Sequence, residues 1–280
     1  MSNPASDAPI SSKESIAVVT GGASGIGLAL ARDYARAGTT VLIADVDEKG
    51  LESARDELAG EGATVHCASV DLRDPDSLNR LGVVARELGT LSAVCLNAGV
   101  MATGEPLWET PPELFDFLVD VNLRGLFSSV RTFVPILLDQ AQPAEIVITA
   151  SMAGMVASGF SGAYGASKAG AIAVAKALRV ELATVAPHLK VVLLNPGMVR
   201  TNLIRRSADE LGARSRMDAD TVRNYHDSLN QMGVPADEAV GRARLALDQN
   251  RFWAFPGKGD PFTQMLEGEL DEIRVSSELV

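Results

Sequence analysis

The stretch AYGASKAG, residues 163–170, sets Tyr164 and Lys168 four positions apart among residues that are otherwise all small. On a helix that spacing brings the two side chains to one face. A phenol beside an ammonium can move protons. Free tyrosine, with a pKa of about 10, is a poor base at neutral pH, and bringing it to about 7 requires roughly 4 kcal/mol. One cation at ~4 Å in an effective dielectric near 20 supplies about that much. The same pattern also suits plain packing, because small residues let a helix sit close to a neighbour and a lysine stem can lie over a surface.

A second candidate lies near the start of the chain. TGGASGIG, residues 20–27, spaces its glycines as G-x-x-x-G-x-G between an apolar run and a helical pattern. There Gly21 allows the turn, Gly25 lets a pyrophosphate approach the backbone, and Gly27 lets helix and strand pack closely. The helix opening beyond Ser24, at Gly25 and Ile26, turns free N–H groups toward a phosphate. A plain tight turn has the same composition. Asp45, 18 positions beyond Gly27, closes the next apolar run, where an acid can accept both hydroxyls of an adenosine ribose. The competing role for Asp45 is N-cap of the following helix, which Asp47 can fill as well. Neither Ser24 nor Val46 is basic, so no cation is evident for a 2′-phosphate, and NAD is favoured over NADP.

These residues need elements to position them. Apolar runs SIAVVT (15–20), TVLIAD (40–45), ATVHCASV (63–70), SAVCLN (92–97), EIVITA (145–150), KVVLLN (190–195) and RFWAF (251–255) alternate with helical patterns. The helices are read over Gly25–Ala37, 47–60, 74–89, Pro112–Gln140 and the segment carrying Tyr164, with Asp74 and Pro75 opening the third. Apolar runs without alternation fit a parallel sheet covered on both faces. The order predicts a single-domain, doubly wound α/β sheet of about seven strands, Rossmann-like, with helices on both faces. Residues 1–14 read as a disordered leader, 15–255 as the catalytic domain and 256–280 as an acidic tail. Within the domain, the polar, Arg-rich stretch 198–250 reads as a lid over the carboxyl ends of the strands.

Composition narrows the function. The chain of 280 residues carries a net charge of −11, which argues against a nucleic-acid surface. No apolar run is long enough to span a bilayer. Cys67 and Cys95 fall in strand-like runs and read as buried thiols in a reducing, cytoplasmic compartment. His66, His188 and His226 lie far apart, and no metal-ligand spacing occurs.

With these motifs together, the sequence resembles the short-chain dehydrogenase/reductase family over roughly residues 15–255. The matching elements are TGGASGIG, VDL (70–72), NAG (97–99), Asn122 in VNLRG, Ser151 in TASMAG, YGASK and NPGMVRT (195–201). Leu96 stands where the family frequently has asparagine. The resemblance implies a catalytic group of Ser151, Tyr164 and Lys168 supported by Asn122. It also implies that Asp71 and Leu72 lie near adenine, that Asn97, Ala98 and Gly99 pack beside the cofactor, and that Pro196, Gly197, Val199 and Thr201 approach the nicotinamide. In that setting Tyr164 is the general base, Lys168 lowers its pKa and binds ribose hydroxyls, Ser151 holds the substrate oxygen, and Asn122 fixes a water that links Lys168 to solvent. The family also implies a homo-oligomer, dimer or tetramer.

Other functions fit less well. A serine hydrolase needs G-x-S-x-G and a suitably placed histidine, and TASMAG provides neither. A sugar-nucleotide epimerase needs a larger substrate domain. A catalytically inactive dinucleotide sensor would be marked by loss of the tyrosine or the lysine, and both are present. The substrate-lining candidates are Met152, Phe160, Met198 and Leu203, with Met101, Trp108, Met155 and Val156 beside them. Their character favours an apolar or aromatic secondary alcohol, or its ketone. Arg205 and Arg206 could pair a substrate carboxylate or form a solvated helix face.

Overall fold

The computed structural model describes residues 14–277. The leader reading therefore falls outside the described residues except at Glu14, whose carbonyl accepts from the Thr90 N–H at 2.9 Å. Seven parallel strands form one sheet: β1 (Ser15–Thr20), β2 (Thr40–Asp45), β3 (Val65–Ser69), β4 (Thr90–Leu96), β5 (Ala144–Thr149), β6 (Leu189–Leu194) and β7 (Trp253–Ala254). Their spatial order is β3-β2-β1-β4-β5-β6-β7.

Successive strand residues point to opposite faces, and both faces are covered. Ile16 and Val18 pack with α3 (Pro75–Leu88), α5 (Gly125–Gln140) and α6 (Gly162–Val185). Ala17 and Val19 pack with α1 (Gly25–Arg36), α2 (Glu48–Gly60) and α9 (Ala236–Asp248). This two-sided burial is why the strand sequences are apolar at nearly every position. The strand order reverses between β1 and β4, and a cleft opens beyond their carboxyl ends, as such sheets require.

Four sequence expectations are corrected. The helical run 112–140 is not one uniform helix: α4 (Pro112–Val119) passes through a π turn, Asp120–Arg124, into α5. The wider turn inserts one residue and re-aims the side chains around Asn122. Second, only part of 198–250 covers the cleft. Two helices, α7 (Leu203–Leu211) and α8 (Ala219–Met232), do so, whereas α9 buries Val240, Ala243 and Leu247 on one stripe against the sheet and is its last crossover helix. Third, the segment after β7 contains a helix, α10 (Pro261–Ser277). Fourth, Cys67 is exposed, because β3 is an edge strand, while Cys95 is buried in the centre of the sheet. Among the described residues, no helix is long and apolar enough to cross a membrane.

Candidate active site

The turn between β1 and α1 is tied to the end of β4. Asn97 donates from its backbone N–H to Thr20 Oγ1 at 3.0 Å and from its amide to the Thr20 and Gly21 carbonyls at 3.3 Å. Gly21 has φ +66, and a Cβ there would lie 2.7 Å from Ala98 Cα. A Cβ on Gly27 would lie 1.9 Å from the Gly21 carbonyl oxygen, so only glycine lets α1 seat against the turn. Ser24 is the N-cap of α1 but makes no side-chain cap, and the first turn contains no acid. The helix therefore presents free N–H groups and uncompensated positive dipole to the cleft, which suits a phosphate.

Two acids lie at the end of β2 and just beyond it, and the structure separates their roles. Asp47 caps α2 by accepting from Gly50 N–H at 2.9 Å. Asp45, only 8% exposed, instead accepts from Ala23 N–H at 3.1 Å and Asp47 N–H at 3.1 Å, and it lines the cleft. This glycine cradle, open helix terminus and inward acid fit a dinucleotide.

Every other cofactor candidate also lines that cleft: Ser24, Gly25, Ile26, Asp71, Leu72, Ala98, Gly99, Pro196, Gly197, Val199 and Thr201, with Tyr164 and Lys168. Gly27 lies beneath it in the packing contact already described. Asp71 is paired with Arg73 at 2.6 Å, which holds its carboxyl below the usual range.

At the other end of the cleft, α6 brings Tyr164 and Lys168 to a common face, and Ser151 enters from the loop after β5. The Ser151 hydroxyl accepts from Ala153 N–H at 3.1 Å and so caps a short 3-10 turn. Asn122 sits behind this group. Its amide oxygen accepts from Val100 N–H at 2.9 Å, and its amide nitrogen donates to the Val100 carbonyl at 2.8 Å and to Ser167 Oγ at 2.9 Å. Ser167 in turn donates to the Tyr164 carbonyl at 2.7 Å. Both amide protons are engaged, so the Asn122 side chain acts as a staple between the β4 loop and the turn bearing Tyr164. The side chain is thus a positioning group within the π turn.

Burial reverses the expected electrostatics of the pair. Lys168, 4% exposed, has a single weak bond to the Thr149 carbonyl at 3.4 Å, and desolvation drops its pKa to about 8. Its Nζ lies 5.9 Å from the Tyr164 ring centre. Desolvation pushes the Tyr164 phenol up to about 12, the neighbouring Ser151 hydroxyl pulling weakly the other way. In the cofactor-free protein Tyr164 is therefore a protonated phenol, and the lysine alone does not lower it.

The buried ammonium has a thermodynamic consequence. Folding at pH 7 places a charged Lys168 in a site that disfavours charge, at a cost of about 3 kcal/mol. This cost is full below pH 8 and fades as the pH rises toward the ordinary lysine value, because over that interval the unfolded chain binds the extra proton. Lys168→Met should therefore stabilise the cofactor-free protein at pH 7 in urea unfolding, by up to about 3 kcal/mol, and the advantage should shrink toward pH 10. Equal stability of the two proteins at pH 7 would refute this.

Substrate candidates divide. Leu203 and Met101 line the cleft. Met152 and Val156 are buried behind it, Met198 and Met155 do not reach it, and Phe160 and Trp108 point into solvent, Trp108 at 85% exposure. The sequence reading missed Tyr225 and Leu229 from α8, Phe262 from α10 and Glu210 from α7, all of which line the cleft, and it weighed Arg206, which also lines it, only as a carboxylate partner or a solvated helix face. No motif marks them, because the chain reaches the cleft there through tertiary packing of lid and tail. Asp260 fixes the tail: it accepts from Phe262 N–H at 2.9 Å and lies against Gly197.

Comparison with known proteins agrees with this geometry. A family profile described as short chain dehydrogenase matches residues 15–212. A 1-deoxy-11-beta-hydroxypentalenate dehydrogenase of Streptomyces exfoliatus is 39% identical over 241 residues, 85% of this chain and 82% of that protein. A C alpha-dehydrogenase of a Sphingobium species is 28% identical over 87% of this chain and 81% of its own length. The crystal structure of a short chain dehydrogenase/reductase from Burkholderia phymatum in complex with NAD superposes with a TM-score of 0.86 at 27% identity, covering 94% of this chain and 95% of that one. A glycine turn at the switch point and a tyrosine–lysine pair across the same cleft are what such similarity requires, and this chain belongs to the short chain dehydrogenase family, as an oxidoreductase acting on CH–OH groups.

Proposed function

We propose that the protein interconverts an apolar or aromatic secondary alcohol and its ketone with NAD, using Tyr164 as general acid and base. The observation that carries this reading is the single cleft with Asp45 and the free α1 terminus at one end, and Tyr164, Ser151 and Lys168 at the other. Bound NAD would accept hydride from the carbinol carbon. Tyr164 Oη takes the hydroxyl proton as the hydride leaves, and Ser151 Oγ orients the substrate oxygen. Lys168 Nζ, with one weak protein bond, is free to hold ribose hydroxyls and to place its charge near the developing tyrosinate. Gly21, Gly25 and the α1 N–H groups would receive the pyrophosphate, and Asp45 the adenosine ribose.

NAD as the cofactor is supported by an inward acid at the end of β2 and by the NAD complex of the Burkholderia relative. The apolar substrate is supported by Met101, Leu203, Tyr225, Leu229 and Phe262 around the catalytic end, and by a relative named for a hydroxypentalenate. Free cysteines and the family resemblance support a cytoplasmic homo-oligomer.

A turnover screen tests the reading. With NAD in excess and alcohols of matched reactivity, kcat/KM should rise roughly threefold per added methylene near the carbinol until the cleft is filled. A marked preference for small polar polyols would sink the assignment.

A further inference from the structure

Arg206 does not form a solvated helix face. Its side chain is 25% exposed and reaches across the mouth of the cleft, where Nη2 donates to Asp45 Oδ1 at 3.0 Å and lies 3.3 Å from Asp47 Oδ2. Its Nη1 donates to Ser24 Oγ. The adjacent Ser207 accepts from Met101 N–H at 3.0 Å on the opposite bank, and Ile204 and Leu211 are fully buried. Helix α7 is thus fastened to both sides of the cleft.

The lone pairs of Asp45 decide what this means for a ribose. Each carboxylate oxygen accepts two hydrogen bonds. Oδ2 has one partner, the Ala23 N–H, and keeps one site open. Oδ1 has two partners, the Asp47 N–H and Arg206, and is full. Two ribose hydroxyls need a site on each oxygen, so the second enters only where the guanidinium leaves. Glu210, one helical turn along α7, offers Arg206 another partner when it does. The same guanidinium offsets the Asp45 charge that would repel a 2′-phosphate, from a lid position outside the two motif sites, Ser24 and Val46, where no cation was found.

We propose that Arg206 is a specificity-determining residue for the adenosine half of the cofactor, competing with ribose hydroxyls for Asp45 and masking that acid from a 2′-phosphate. The proposal rests on the reading that Asp45 receives the ribose. It makes the affinities for NAD and NADP move in opposite directions when Arg206 is removed.

Equilibrium fluorescence titration with each cofactor, without substrate, tests this on wild type, Arg206→Gln, Asp45→Asn and the double variant. Arg206→Gln should lower the NAD Kd roughly fivefold to tenfold, the partial exposure of the pair limiting the gain, and raise the NADP Kd by a similar factor. Against Asp45→Asn the same change should alter NAD affinity less than about twofold, since the competition runs through that acid. Hydrogen exchange over residues 203–211 in the cofactor-free protein should quicken in Arg206→Gln. Should that variant fold poorly, Arg206→Lys, which keeps charge but loses the fork, should shift the NAD and NADP affinities in the same opposed directions as Arg206→Gln, to a lesser extent. Weaker NAD binding in Arg206→Gln would show that Arg206 contacts the cofactor, and parallel or absent shifts would show no competition; each overturns the proposal. NAD affinity that falls in Asp45→Asn but ignores Arg206 overturns the competition alone. NAD affinity indifferent to Asp45→Asn overturns the ribose reading itself.

Discussion

Tyr164→Phe should lower kcat for alcohol oxidation by about a thousandfold while the NAD Kd stays within about threefold of wild type. The ring lies in a small apolar cluster with Val100, Met101, Leu114 and Ile204, and phenylalanine keeps those contacts. What is lost is one oxygen, that of a phenol beside Ser151 whose ring centre lies 5.9 Å from Lys168 Nζ. The pH dependence separates a base from a mere substrate anchor. In the empty protein burial holds the phenol near 12, so its ionisation should be absent from ultraviolet difference titrations at pH 10. In turnover, the positive nicotinamide and a Lys168 drawn to the ribose both favour the tyrosinate. The oxidation rate should accordingly rise with pH through an apparent pKa well below 10 and then level off. Substantial activity in Tyr164→Phe, or a flat profile with chemistry rate-limiting, would remove Tyr164 from the role of base.

That contrast also marks where sequence reading stops. Spacing reveals that Lys168 shares a face with Tyr164, and an opposite-sign neighbour is easily weighed. Desolvation is not visible in spacing, and in the empty cleft it is the larger effect on both groups. Strands such as TVLIAD were legible because burial on both faces leaves an uninterrupted apolar run, with β2 matching it residue for residue. β3 and β7 are edges, where pairing on one side alone shortens the regular strand to Val65–Ser69 and to Trp253–Ala254 and leaves Cys67 exposed. The π turn at Asn122 adds a single residue inside an otherwise helical pattern, too small a shift for periodicity to register. The motif residues were legible because local geometry demands them: a Cβ at Gly27 has nowhere to go. Phe262 and the pairing of Arg206 with Asp45 were not, because each residue reaches the cleft from a lid or tail segment, Arg206 across 161 positions from Asp45.

Cofactor choice gives the second large effect. Wild-type kcat/KM should favour NAD over NADP by on the order of a hundredfold. A 2′-phosphate replaces a hydroxyl that Asp45 would accept, forfeiting a charged hydrogen bond worth roughly 1.5–3 kcal/mol. It also sets two anions together, a repulsion of about 4 kcal/mol per charge pair at ~4 Å in an effective dielectric near 20. Solvent at the cleft mouth and the guanidinium of Arg206 reduce that figure, and halving it still leaves the hundredfold preference. Asp45→Ala with Val46→Arg should shift the ratio toward NADP by a hundredfold or more. Val46 is 48% exposed, so an arginine there has room to reach a phosphate without disturbing the core. In the same variant Arg206 loses its shortest acidic partner and keeps only Asp47, at 3.3 Å, which leaves a second cation available beside the new one. Asp47 limits the gain, since it still caps α2 and cannot be removed without loosening that helix. Measuring kcat/KM with each cofactor for both proteins decides the matter. A wild-type preference for NADP, or an unmoved ratio in the double variant, would mean that Asp45 serves only to hold the Ala23 and Asp47 N–H groups and does not read the ribose.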